Sequence, residues 1–178
     1  MFLSERETIE KVKDKQGIIS KIQNFFTLGY GTKEDLRELD RKLRDLYYIE
    51  LRDLRHVWED LYLVAMDAGA AQSRDYKKVI QVLDRVTEKV RHADYGYAGL
   101  WDRKGHIREN ELAGVFNFDR DLGKELDSLK SAVSKAQSEV EAENWDAVSA
   151  EVKNVKSLLL GFEDKWSERE KQIRPLDM

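Results

Sequence analysis

The sequence predicts an all-α fold, a five-helix up-and-down bundle in which antiparallel, coiled-coil-like hairpins close around one long central helix. Three observations lead there. Apolar residues recur at three- and four-residue steps along most of the 178 residues. There is one proline, Pro175, and 37% of the residues are charged, a composition suited to long helices with solvated faces. The third is the stretch 33–68, where Leu36, Leu39, Leu43, Tyr47, Leu51, Leu54, Trp58, Leu61, Ala65 and Ala68 keep one helical phase without a break. Within that stretch, residues 46–51 and 61–66 are apolar almost all the way round, and a helix of that kind is contacted on several sides. It is the expected central post of a single domain spanning residues 1–178.

The elements follow in order. Ser4 and Glu7 form a capping box, opening a helix over residues 4–26 whose apolar positions include Ile9, Val12, Ile18, Ile22 and Phe25. Gly29 and Gly31 stop it, and Thr32 caps the central helix over 33–68. Gly69 ends the post, and Ser73 with Asp75 opens a helix over 74–93 with the stripe Tyr76, Ile80, Leu83, Val86 and Val90. Folded back on the post, that stripe sets Tyr76 opposite Ala65, Ile80 opposite Leu61, Leu83 opposite Trp58 and Val90 opposite Leu51.

Residues 94–107 hold three glycines and three aromatics without periodicity and are expected to be a loop. Two further helices, 108–142 and 145–172, carry matching 4-3 patterns. They align as Val140 on Val148, Ala136 on Val152, Val133 on Val155, Leu129 on Leu159, Leu126 on Phe162 and Leu122 on Trp166. Asp119 then falls opposite Arg169. Small residues lie near the turn at Glu143-Asn144 and large ones at the far end, so the hairpin should splay there and admit another element.

Composition excludes several function classes. Absence of cysteine removes disulfides, thiolate metal sites and cysteine nucleophiles together. No apolar run approaches the roughly 20 residues of a membrane span, and the first residues lack the apolar core of a signal peptide, so a cytoplasmic location is expected. Residues 1–110 carry 21 Lys/Arg against 20 Asp/Glu, and residues 111–178 carry 10 against 15. Neither balance is the basic face that nucleic acid requires.

Two places invite a chemical reading. The segment 95–108 gathers Tyr95, Tyr97, Trp101, Arg103, Lys104, His106 and Arg108 beside the start of a helix. Rings that stack and cations next to free backbone N–H groups suit a planar, anionic, nucleotide-like ligand, although aromatics in a loop also serve simply to cover a bundle end. His56 has Asp53 three residues before it and Asp60 four after. A helix with that spacing can offer metal ligands, but no second copy of the pattern occurs, and His56 points about 200° away from Leu54 on a wheel of 100° per residue. Asp53, His56 and Asp60 are therefore weak metal candidates, and no metal or cofactor is expected. Glu38 and Glu50 sit about 18 Å apart on one helix and cannot share an ion.

The functional expectation is a non-enzymatic interaction or assembly protein, its partner a second copy of the same chain. The post is longer, and apolar over more of its circumference, than one chain of this size need cover. The alternative is an enzyme or sensor for an anionic ligand held by residues 95–108.

Overall fold

The computed structural model describes residues 33–93 and 109–173. All the regular elements it describes are helices: α1 (Lys33–Asp67), α2 (Asp75–Arg91), α3 (Glu109–Glu141) and α4 (Trp145–Ile173). Each lies within two residues of its predicted bounds. The expected helix over residues 4–26 and the loop over 94–107 fall outside the described residues. Among the described residues, no helix is long and apolar enough to cross a membrane.

The 35 residues of α1 run without interruption, about 52 Å at 1.5 Å per residue. Its end is set by backbone chemistry. Ala70 N–H donates to the Ala65 carbonyl at 2.8 Å and Gly69 N–H to Met66 at 2.9 Å, the paired bonds of a Schellman stop. Gly69 adopts φ 68°, which a residue without Cβ takes at little cost. The α3–α4 turn repeats this device. Asn144 N–H donates to Glu139 at 2.9 Å and Glu143 N–H to Val140 at 3.0 Å, but here the left-handed position, φ 55°, is held by Glu143. Asn144 also donates its side-chain amide to Glu139 at 2.9 Å. At the start of α2, Arg74 rather than Ser73 occupies the cap position, while the Ser73 hydroxyl accepts from Asp75 N–H at 3.2 Å.

The described residues fall into two compact units, one of residues 33–46, 109–120 and 169–173 and the other of residues 47–93 and 121–168. In the first, Leu43 and Leu46 are buried. Arg169 Nε donates to Asp119 Oδ1 at 2.6 Å with both side chains inside, the opposition that the sequence pattern predicts.

In the second unit every predicted core position of the α3–α4 pair from Leu122 to Val140 and from Val148 to Trp166 is buried. Two ion pairs, Lys135–Glu151 and Lys165–Glu125, straddle the turn almost symmetrically. Helix α1 contacts both helices of this pair. The Tyr47 ring stands edge-on to Phe162 and Trp166, with centroids 6.0 and 5.8 Å away. Glu50 of α1 meets Lys130 of α3 at 2.5 Å.

Helices α1 and α2 run in opposite directions, since Arg55 pairs with Asp84 at 2.6 Å and Tyr62 meets Tyr76. Tyr76 lies against the Tyr62 and Trp58 rings, and Trp58 Nε1 donates to the Tyr76 carbonyl at 3.0 Å. Buried rings and an indole donor supplied with an acceptor add specificity to the matching of apolar positions. The α2 stripe is wider than expected. Val79 and Val82 are buried while Ile80 is half-buried, because α2 packs on α1 from one side and, through Arg85 and Lys89 to Glu163, on α4 from the other.

Glu143→Gly should raise stability by about 0.5–1 kcal/mol by relieving the left-handed backbone, while Gly69→Ala should lower it by about 1 kcal/mol. Nothing lies within 4 Å of a Cβ built at Gly69, so that cost is the backbone's alone. Urea unfolding of the two variants measures both.

Candidate functional site

Polar chemistry in the second unit is engaged in holding helices together. Glu163, on α4, accepts from Arg85 Nε at 2.8 Å, Arg85 Nη2 at 2.6 Å and Lys89 Nζ at 2.8 Å. The Arg85 guanidinium is the main reason that its carboxyl drops to about 2 from the usual 4.5, with Lys89 adding to it against the opposing effect of burial. A carboxylate so acidic exchanges no proton near neutral pH; it clamps α2 to α4. Asp75 is lowered by Lys156 in the same way, at 2.6 Å.

On the outer side of α3 and α4 an open groove of about 500 Å³ is lined by Asp127, Ser128, Ser131, Lys135, Glu151 and Asn154, with Ala132 and Leu158. Lys135 and then Asn154 hold the Glu151 carboxyl below its ordinary range. Lys135 and Glu151 thus face one another across it.

The sequence candidates Tyr95, Tyr97, Trp101, Arg103, Lys104, His106 and Arg108 lie outside the described residues. Of the metal candidates, His56 and Asp60 are exposed and Asp53 lies 3.4 Å from Arg52. Among the described residues, no group of three or more His, Asp or Glu side chains is placed to hold a metal ion.

What stands apart is apolar. Leu63, Val64 and Met66, near the end of α1, are 51, 51 and 50% exposed. Ala65 between them is fully buried and Leu61 is 3% exposed. The two all-round apolar stretches of α1 therefore have different fates. Over 46–51, Leu46, Tyr47, Glu50 and Leu51 are buried and Tyr48 and Ile49 half-buried, so that stretch is covered broadly. Over 61–66 only one arc is covered, which corrects the expectation of contact on several sides there. Isolated apolar side chains on a surface are ordinary, but three large ones within four residues form a contiguous patch. Sequence reading had the signal in the run Leu61–Met66 and assigned it to the core.

Comparison with protein-family models, with curated proteins and with solved structures finds no match.

Glu163 carries a pH dependence of defined sign. Its folded-state pKa is below the ordinary value, so its contribution is complete above about pH 4.5 and is lost as pH falls toward 2. Glu163→Gln should cost on the order of 1–2 kcal/mol at pH 7, at the low end of charged hydrogen bonds because Arg85 and Lys89 stay half in solvent. The same variant should flatten the acid limb of a stability-versus-pH curve between pH 4.5 and 2.

Proposed function

We propose that the protein is a cytoplasmic, non-enzymatic helical assembly protein that works as a homodimer, an up-and-down bundle whose long helix offers a contact surface at its C-terminal end. The observation that carries this reading is the half exposure of Leu63, Val64 and Met66 on a helix whose opposite arc is fully packed. Burying such side chains against a partner removes apolar area from water at about 25 cal/mol per Å². Two further facts support it. Ion pairs hold Glu163 well below the usual carboxylate range and lower Asp75, and Lys135 and Glu151 of the α3–α4 groove are paired with each other. Helix-clamping pairs of this kind suit a rigid scaffold.

Sedimentation equilibrium over a wide concentration range should find a reversible dimer. Leu63→Asp should shift it to monomer with helix content unchanged, because the side chain is half in solvent and its loss leaves no cavity. A strict monomer at every concentration would remove the reading.

A further inference from the structure

The exposed end of α1 does not stand alone; it shares a face with the start of α2, and that face is charged in a pattern. Arg55 and Tyr62 mark the side of α1 that meets α2, through Asp84 and Tyr76. Stepping about 100° per residue, Met66 follows Tyr62 on that side, Leu63 lies one step further out, and Asp60 and Asp67 form the outer edge. Asp60, Leu63, Val64 and Asp67 are spaced i, i+3, i+4, i+7, one stripe with acidic ends. On α2, half-buried Ile80 lies between Tyr76 and Asp84 on the side toward α1, and Lys77 and then Arg74 form the outer edge.

Read across, the face is an acidic edge, an apolar middle of Leu63, Met66 and Ile80, and a basic edge. Asp60, Asp67, Arg74 and Lys77 are all exposed, and none of them forms an ion pair among the described residues. The charges nearer the α1–α2 seam, Arg55 with Asp84 and Glu59, are by contrast paired with each other.

Heights along the helices agree as well. With Tyr62 level with Tyr76 and Arg55 near Asp84, Lys77 lies within about two residues of the level of Asp60. Arg74 lies within about three of Asp67. At 1.5 Å per residue these offsets are roughly 2–4 Å, within reach of a lysine or arginine side chain.

A two-fold axis in the plane of such a face has two choices. An axis across the helices would set acid against acid, and like charges directly opposed are unfavourable. An axis parallel to the helices sets each acidic edge on the other copy's basic edge at the same height. We infer that the protein pairs with a second copy of itself through this α1–α2 face, about an axis parallel to the helices. Asp60 meets the partner's Lys77 and Asp67 meets the partner's Arg74. The interface is isologous, so each contact occurs twice, and Met66 and Ile80, near the axis, meet their own counterparts. The inference rests on the homodimer reading and adds to it the surface, the symmetry and the pairs.

The test is a charge swap read by native mass spectrometry and sedimentation. Asp60→Lys with Asp67→Lys makes both edges basic, and Arg74→Glu with Lys77→Glu makes both acidic. Each double variant alone should have its dimer dissociation constant raised at least about tenfold, since four opposite-sign contacts become repulsive. An equimolar mixture of the two should form a heterodimer, which neither forms with itself. The mixture also controls for folding, because misfolded variants would not recover each other. If the unaltered protein dimerises but both variants dimerise as tightly as it does, this face is not the interface and the homodimer reading alone survives. If the unaltered protein is monomeric throughout, both fall.

Discussion

The packing of Tyr47 against Phe162 and Trp166 of α4 is the contact on which the rest of the second unit depends. Helices α3 and α4 taper: alanine and valine fill the layers near their turn, while leucine, Phe162 and Trp166 fill the other end. Side chains of that size need a partner of matching bulk, because protein interiors close to crystal density. The Tyr47 ring supplies it, 1% exposed and T-shaped to both Phe162 and Trp166, which are themselves fully buried. Edge-to-face geometry sets the positive rim of one ring on the negative face of another, adding roughly 0.5–1.5 kcal/mol to what area alone provides. Once α1 is seated there, α2 follows through its short connection, and Trp58 and Tyr76 close the other end of the α1–α2 pair.

Charges then decide which helix face meets which. Glu163 is reached by two cations from α2, Glu50 by Lys130 from α3, and Asp75 by Lys156 from α4. Most of these pairs have one partner largely buried and the other partly in solvent, an arrangement in which the cation's stem covers apolar surface while its head stays wet. Their individual energies are small. Their value lies in specificity, since a rotated or slipped helix would leave Glu163 or Glu50 buried without a counter-charge. Asp60, Asp67, Arg74 and Lys77 form no such pair among the described residues, which leaves them open to charges from outside the chain.

Helix bounds and the α3–α4 layers were legible in the sequence because they depend on local signals: the 3.6-residue period, Gly69, and a turn at Glu143-Asn144. The Asp119–Arg169 opposition was legible for the same reason, as a position fixed by counting from the turn. Contacts between helices that are not joined by a tight turn were less so. Tyr76 was matched to Ala65 by apolar character, a matching that does not reveal its contacts with the Trp58 and Tyr62 rings or the hydrogen bond its carbonyl accepts from Trp58. Ile80 was placed in the core and Val79 and Val82 were not, because a single stripe describes a helix with one neighbour and α2 has two. The run Leu61–Met66 shows the limit most plainly. Periodicity reports that a residue is apolar, not whether anything in the same chain lies beside it, and coverage of Leu63, Val64 and Met66 is a property of the assembled surface.

A double-mutant cycle on Tyr47→Leu and Phe162→Leu, followed by urea unfolding, tests the seating of α1 most directly. Both substitutions keep apolar bulk while removing the edge-to-face contact, and the loss of the tyrosine hydroxyl cancels between the two arms of the cycle. Here the expected coupling energy is about 0.5–1.5 kcal/mol in favour of the pair. Strictly additive losses, with no coupling beyond error, would contradict the placement of Tyr47 against those rings and the fold built upon it.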